Sequence, residues 1–387
     1  MSHFCHLCGS SDIDEIAGSI GFGRVTSDCK PWRSGGRLAC CSLCQTVQAV
    51  ITSEWRAESE QIYRAYTVYH QGGGAEQAVF NSVGSSETRS GRIVSQLVKS
   101  LDYPECGHLL DIGCGNGRFL TEFGSSFPRW KLSGVEFDAK HSKELQGIPG
   151  FQRLYSGGLD QIEERYDLIS LVHTLEHIVG PVDFLKSVRR LLKPGGVVFI
   201  QVPFYRENPF ELMTADHASH FDKRSLTSLL QQGGLNSVLL SSEWVGKELS
   251  ALATSHESDR EGCAIPINEG GMGLTESLKW LGELLEKARD VQARSRSFGI
   301  FGSSIAATWV ATNLPCRPDF FVDEDPSRAN RTHLDRPIIH PSKVEFDADI
   351  FVALQPETTK AILSRHSGMS PGVWSALTSS QKLDTRN

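Results

Sequence analysis

A short apolar run ending in three glycines at alternate positions, Leu109-Leu-Asp111-Ile-Gly113-Cys-Gly115-Asn-Gly117, constrains this chain more than any other segment. It reads as a strand feeding a sharp turn. Glycine lets the backbone turn tightly and come close to a ligand. The helix expected over Arg118–Phe123 offers free N–H groups at its start. Such loops occur in several nucleotide-binding α/β folds, so the loop alone leaves dinucleotide binding open.

The pattern around the loop extends the argument. Helices are expected over 54–70 and 86–101, then strand–helix alternation from His108: Leu109–Ile112, Arg118–Phe123, Lys131–Glu136, Tyr166–Val172, Pro181–Leu192 and Val197–Val202. A helix at 222–232 and a strand at Ser237–Leu240 follow. This order predicts a parallel sheet with crossover helices. Residues 255–272 are polar and glycine-rich. A long amphipathic helix is expected at 274–294, with Leu278, Leu281, Leu284, Leu285, Ala288 and Val291 on its apolar face. Alternation restarts at Phe298–Phe301, Ile305–Val310, Asp319–Val322 and Ile350–Leu354. The expected units are 1–52, 53–254, a linker and helix at 255–297, a smaller α/β domain at 298–367, and a disordered tail at 368–387.

Charge and cysteine usage narrow the class. The net charge of -7 argues against a nucleic-acid-coating protein. There is no long apolar run for a membrane helix and no signal-peptide pattern at the start, so a cytoplasmic protein is expected. Six of the ten cysteines fall in the first 44 residues. Cys5-His-Leu-Cys8 and Cys41-Ser-Leu-Cys44 are two C-x-x-C pairs, the spacing of a structural zinc ribbon. Their separation requires an insertion to loop out. Cys40 competes with Cys41 as the third ligand, and Cys29, His3 and His6 are lesser candidates.

Three features add to the glycine loop: Asp111 before it, Glu136 at the end of the next strand, and Leu192-Lys-Pro-Gly195-Gly196 before a further strand. Over residues 100–243 these resemble the class I S-adenosylmethionine-dependent methyltransferase family. The resemblance implies a methyl-donor pocket formed by Asp111, Gly113, Cys114, Gly115, Asn116, Gly117, Glu136, Phe137, His173, Glu176 and His177. Asp111 would meet the cationic methionine end, and Glu136 the ribose hydroxyls.

The order of modules, from the cysteine head to about residue 366, resembles the sugar C-methyltransferase family. The C-terminal segments that carry the resemblance are Phe298-Gly-Ile-Phe-Gly302-Ser-Ser304, Phe321-Val-Asp323-Glu-Asp325-Pro326 and Pro337-Ile-Ile-His-Pro341. The implied architecture is α/β: an N-terminal zinc-ribbon module, a central Rossmann-like methyltransferase domain and a C-terminal second Rossmann-like domain that helps hold a nucleotide-sugar. The implied setting is polysaccharide biosynthesis. In Thr214-Ala-Asp216-His217-Ala-Ser-His220 the family carries a catalytic histidine preceded by an acid, which places His217 as base and Asp216 beside it, with His220 as the local rival. The family's tyrosine three residues before the histidine is Thr214 here. Tyr66 or Tyr69 can supply a tyrosine from the helix after the cysteine module, though the following His70-Gln71 departs from the pattern. These departures leave O- or N-methylation of a glycan or other small metabolite, and a non-catalytic assembly role, as alternatives.

Overall fold

The computed structural model describes residues 4–17, 21–68, 74, 76, 78–80, 86–255, 270–328, 330–345, 347–366 and 372–377. Tyr69, His3 and His70-Gln71, singled out from the sequence, lie outside these residues.

The centre is a seven-stranded sheet: β1 (His108–Ile112), β2 (Lys131–Glu136), β3 (Phe151–Ser156), β4 (Tyr166–Val172), β5 (Leu192–Pro203), β6 (Asn236–Ser241) and β7 (Glu248–Thr254). Its order is β3-β2-β1-β4-β5-β7-β6. The first five strands are parallel, while β7 runs antiparallel to both β5 and β6. The order reverses between β1 and β4, which opens a crevice at the strands' carboxyl ends. The antiparallel β7 sets this sheet apart from the all-parallel 3-2-1-4-5-6 dinucleotide fold. Both faces of the sheet are covered: Leu110, Ile112, Ile169 and Leu171 enter one apolar cluster, and Leu109, Leu132, Leu168 and Phe199 enter another.

The strands β3 and β7 are additions to the sequence reading. β3 is an edge strand, so it alternates weakly. β7 is buried on both faces, but its two leucines are separated by serine and alanine and its ends are polar. Helix 53–64 is shorter than expected, ending at Arg64. The helix Leu274–Arg294 buries the expected stripe and Trp280.

The N-terminal segment forms an antiparallel sheet of Ile13–Ile16, Leu38–Cys41 and Val47–Ala49. Its fourth strand is Ser219–His220, from the loop after β5. Near the carboxyl end, Phe298–Phe301 lies between Phe320–Val322 and Asp349–Val352, all parallel. The tail expected to be disordered contributes Val373–Ala376, a further parallel edge strand on Asp349–Val352. Trp374 and Ala376 pack there against the sheet's apolar cluster, which supplies the burial that the polar composition around them obscures. Among the described residues no helix is long and apolar enough to cross a membrane.

Candidate active site

The glycine loop sits at the carboxyl end of β1. Gly113, Gly115 and Gly117 all have positive φ, at 79°, 50° and 78°. A Cβ on Gly113 would lie 2.2 Å from the Thr174 hydroxyl, and one on Gly117 would meet Ile148 and Leu145. Thr174 in turn donates to the Ile112 carbonyl at 2.9 Å. The loop is therefore locked against the turn that follows β4. At Gly115 a Cβ would meet only the Val68 methyls, at 3.6–3.7 Å, so the segment after helix 53–64 passes over the loop. That open cradle fits a ligand held by backbone.

Glu136 ends β2 beside the loop. Its carboxylate accepts from the Gly115 N–H at 2.8 Å and from the Phe137 N–H at 2.9 Å. The Phe137 ring is 87% exposed next to it. Asp111 is buried and accepts the Ser170 hydroxyl at 2.7 Å. Burial lifts its pKa to about 7, and Glu136 adds to the rise. Cys114 turns its thiol toward Gly134, leaving only its backbone to the loop. The Asn116 amide donates to the Gly74 carbonyl. A cleft of about 270 Å³ opens at the ends of β1–β3, lined by Ile112, Val135, Gly157, Leu159, Asp160 and Phe184.

The turn after β4 carries His173, Glu176 and His177. His173 has a left-handed backbone, φ 52°, which is uncommon for a non-glycine residue and clusters at functional sites. Its ring lies between two carboxylates, with Nδ1 3.2 Å from Glu176 and Nε2 3.2 Å from Glu248. Burial alone would lower His173, but Glu248 overrides it and holds it at about 9. Arg89 pairs with the same Glu248 at 3.2 Å. Glu248, the first residue of β7, also accepts the Gln201 amide at 2.6 Å.

His217 and His220 are both buried, and both turn Nδ1 toward one oxygen of Glu211, at 2.6 and 3.1 Å. Burial would depress His217, yet the Glu211 carboxylate holds it at about 9. The histidines in turn hold Glu211 near 2 against its own burial. The His177 ring stands edge-on to His217 at 4.6 Å, and Tyr63 stands edge-on to His177 at 5.8 Å. Asp216 makes its hydrogen bonds elsewhere: its carboxylate accepts the Ser27 N–H at 2.9 Å and the Ser27 hydroxyl at 2.5 Å, and lies 3.6 Å from His177 Nδ1. The Thr214 hydroxyl and His220 Nε2 are buried without a hydrogen-bond partner. Tyr66 is held well above the ordinary phenol range by burial and by Asp216.

The structure thus gathers His177, His217 and Glu176 at the end of β4, adjoining the glycine loop through Thr174. Glu211, Glu248 and Asp160 escaped the sequence reading. Glu211 lies six residues before His217 on a short 3-10 turn, Pro209–Met213, so no simple spacing marked it. For Asp160 a signal existed, the Gly157-Gly-Leu-Asp160 turn after a strand.

Cys5, Cys8, Cys41 and Cys44 bring their sulfurs within 4.8 Å of one another. The Cys5–Cys44 and Cys8–Cys41 sulfurs are 3.4 and 3.6 Å apart. Four thiolates around a zinc at about 2.3 Å each would be separated by about 3.8 Å, so the donor set fits a closed tetrahedral ion. The Cys40 thiol points instead toward the Cys41 carbonyl.

The glycine-rich turn after β1 and the acid ending β2 are the features on which the resemblance to class I methyltransferases rests. Residues 87–240 match the family described as methyltransferase domain. A tRNA U34 carboxymethyltransferase of Desulfotalea psychrophila is 30% identical over 159 residues, 39% of this chain and 48% of that protein. A trans-aconitate 2-methyltransferase of Acidovorax sp. is 27% identical over 148 residues, 37% of this chain and 55% of that protein. Among solved structures, a mitomycin 7-O-methyltransferase covers 43% of this chain and 52% of its own, with 17% identity and a TM-score of 0.38. This chain spans about half the length of the curated relatives it matches. It carries a class I S-adenosylmethionine-dependent methyltransferase domain.

Proposed function

We propose that the protein transfers a methyl group from S-adenosylmethionine to the carbon beside a ketone of a nucleotide-linked deoxysugar, with His217 as the base. The observation that carries this reading is the buried Glu211–His217 pair, 2.6 Å apart and edge-on to His177. Bound S-adenosylmethionine supplies an electrophilic methyl group. Glu211 fixes His217 Nδ1, which leaves Nε2 for the substrate. His217 takes the proton from the carbon beside the ketone, leaving an enolate. S-adenosylmethionine held by the glycine loop and Glu136 would supply the methyl group to the enolate carbon, with the carbon–sulfur electron pair left on sulfur. A base held near pH 9 suits a weak carbon acid. Positioning the acceptor in line supplies much of the remaining rate.

The module Cys5–Cys8–Cys41–Cys44 holds one structural zinc in this reading, with no open coordination position for chemistry. The C-terminal sheet helps seat the nucleotide. Among the curated relatives, the trans-aconitate 2-methyltransferase is named for a small acid and not a sugar, and O- or N-methylation of a glycan or other small metabolite is the second reading.

Incubation with a panel of nucleotide-linked keto-deoxysugars in heavy water tests the proposal. Deuterium should enter the carbon that is methylated, and His217→Ala should abolish that exchange. No exchange with any member of the panel would overturn carbon methylation, and a methyl ether in the product would select the second reading. Calorimetry showing no S-adenosylmethionine binding would favour a non-catalytic assembly role. Elemental analysis should return one zinc per chain.

A further inference from the structure

The His217 loop is shaped from outside the methyltransferase sheet. Ser219 and His220 pair antiparallel with Gln48 and Val47, as the edge strand of the cysteine module's sheet. The Ala49 N–H donates to the Ala218 carbonyl at 3.0 Å, and the Ala215 N–H donates to the Val25 carbonyl at 2.7 Å. The Asp216 carboxylate is taken by Ser27. The backbone on both sides of His217 is therefore tied to residues 25–49.

Gln48 links that tie to the thiols. Its backbone faces Ser219, while its side-chain oxygen accepts the His6 N–H at 2.8 Å and its amide donates to the Phe4 carbonyl at 3.0 Å. Those two backbone groups flank Cys5 in the first C-x-x-C turn. His6 Nδ1 also lies 3.2 Å from the Ser219 hydroxyl. One buried glutamine thus separates the four-sulfur cluster from the strand that continues out of His217.

We infer that the cysteine module is a positioning element of the active site, in which Gln48 and Ser27 set the placement of residues 214–220. The inference rests on the zinc reading of the four cysteines and on the assignment of His217. In a module this small and polar, a metal staple contributes much of what holds the turns. Without an ion, the turn at Cys5–Cys8 loses its closure, Gln48 loses its two anchors, and Ser219–His220 loses a fixed partner. His217 then drifts from Glu211. A displacement of about 1 Å in such a group costs on the order of a hundredfold in rate.

The test uses the full chain and needs no substrate. Hydrogen exchange is followed in peptides covering 109–117 and 214–221, and the histidine ring protons are titrated by NMR. The groups facing His217 are Glu211, Glu176, Asp216, His177 and His220. S-adenosylhomocysteine binding, by calorimetry, is the control. Extraction of the metal should speed exchange at 214–221 by about tenfold or more, while 109–117 and S-adenosylhomocysteine affinity stay within about threefold. Gln48→Ala should do the same with the metal still bound, and should lower the titration of His217. Ser27→Ala should lower it too, with Ser27→Thr restoring it. Unchanged exchange at 214–221 in Gln48→Ala, or an equal rise over the whole chain, overturns the inference. A chain that binds no zinc overturns the metal reading alone, and the Gln48 and Ser27 variants still decide the positioning claim.

Discussion

Glu211 changes what His217 can do. A histidine buried beside only His177 would lose its proton readily, since burial and a second imidazole both disfavour the cation. The Glu211 carboxylate reverses this and holds the ring near 9. His217 is then protonated at neutral pH in the free protein, and kcat/KM should rise with pH toward about 9. Glu211→Gln removes the charge and keeps the shape, so the limb should move to lower pH, as pH–rate profiles and NMR titration would show. Stability runs the opposite way. A histidine raised in the folded state stabilises fully below its unfolded value near 6.5, and that contribution is lost as pH climbs through about 9. Urea midpoints between pH 6.5 and 9 should fall in the native protein, with His173 adding to the fall, and should fall less steeply in Glu211→Gln. A flat native profile would count against the Glu211–His217 pairing. The sequence made His217 visible through its motif. It made Asp216 look like the partner, because adjacency is legible and folding distance is not; Asp216 reaches Ser27 instead. Asp111 follows a related logic. Held near 7 by burial, it is ionised only above that pH. If its carboxylate meets the cationic methionine end, S-adenosylmethionine affinity should strengthen as pH rises from 6 to 8. Asp111→Asn should abolish that dependence in calorimetry.

At the scale of elements, the parallel strands were legible because β1, β4 and β5 are apolar runs bounded by turn residues. The strand β7 was not, although it is buried along nearly its whole length. It opens on a glutamate, and its apolar positions alternate with serine and alanine, so neither a period nor a run announces it. That glutamate is what ties the elements together. Glu248 at the start of β7 meets Arg89 at the start of helix Arg89–Ser100, His173 at the end of β4 and Gln201 on β5. Burial would push Glu248 up, but Arg89 and His173 hold it near 2. Removing one member of such a cluster leaves the others buried and unpaired. Glu248→Ala should cost about 3 kcal/mol in urea unfolding, and His173 should titrate well below 9. A loss under about 1 kcal/mol would mean that solvent already screens the cluster. The glycine turn behaves differently, because its demand is steric. Gly113→Ala meets both a positive φ and the Thr174 hydroxyl. It should destabilise by about 1–3 kcal/mol and weaken cofactor binding through the displaced turn.

At the scale of the whole molecule, the sequence suggested units in series, because cysteine density, strand–helix alternation and a polar linker each mark a boundary along the chain. Packing crosses those boundaries. One apolar cluster joins Val25, Leu38 and Val47 of the cysteine module, Tyr205–Met213 from the loop after β5, the helix Leu274–Arg294, and the sheet around Phe298–Phe301. No pattern along the chain could show this, since each contributor is a stripe whose partner lies far away in sequence. Trp309, on the helix Ile305–Asn313, is the residue at the junction. It is fully buried and meets Phe22 at 5.5 Å and Phe210 at 5.7 Å, both edge-on. Beside it, the Thr308 hydroxyl donates to the Cys29 carbonyl, and Asn313 accepts the Gly23 N–H at 2.7 Å. Trp309→Ala should therefore do more than loosen its own sheet. The loss of a fully buried aromatic costs about 3–5 kcal/mol. Hydrogen exchange should rise in peptides covering 22–30 and 209–213 as well as in 298–313. Units that fold independently would instead confine the rise to 298–377 and split the unfolding transition in two. A shared core requires that the cysteine module, the His217 loop and the C-terminal sheet lose protection together, so that a lesion more than ninety residues from His217 in sequence still reaches the loop that holds it.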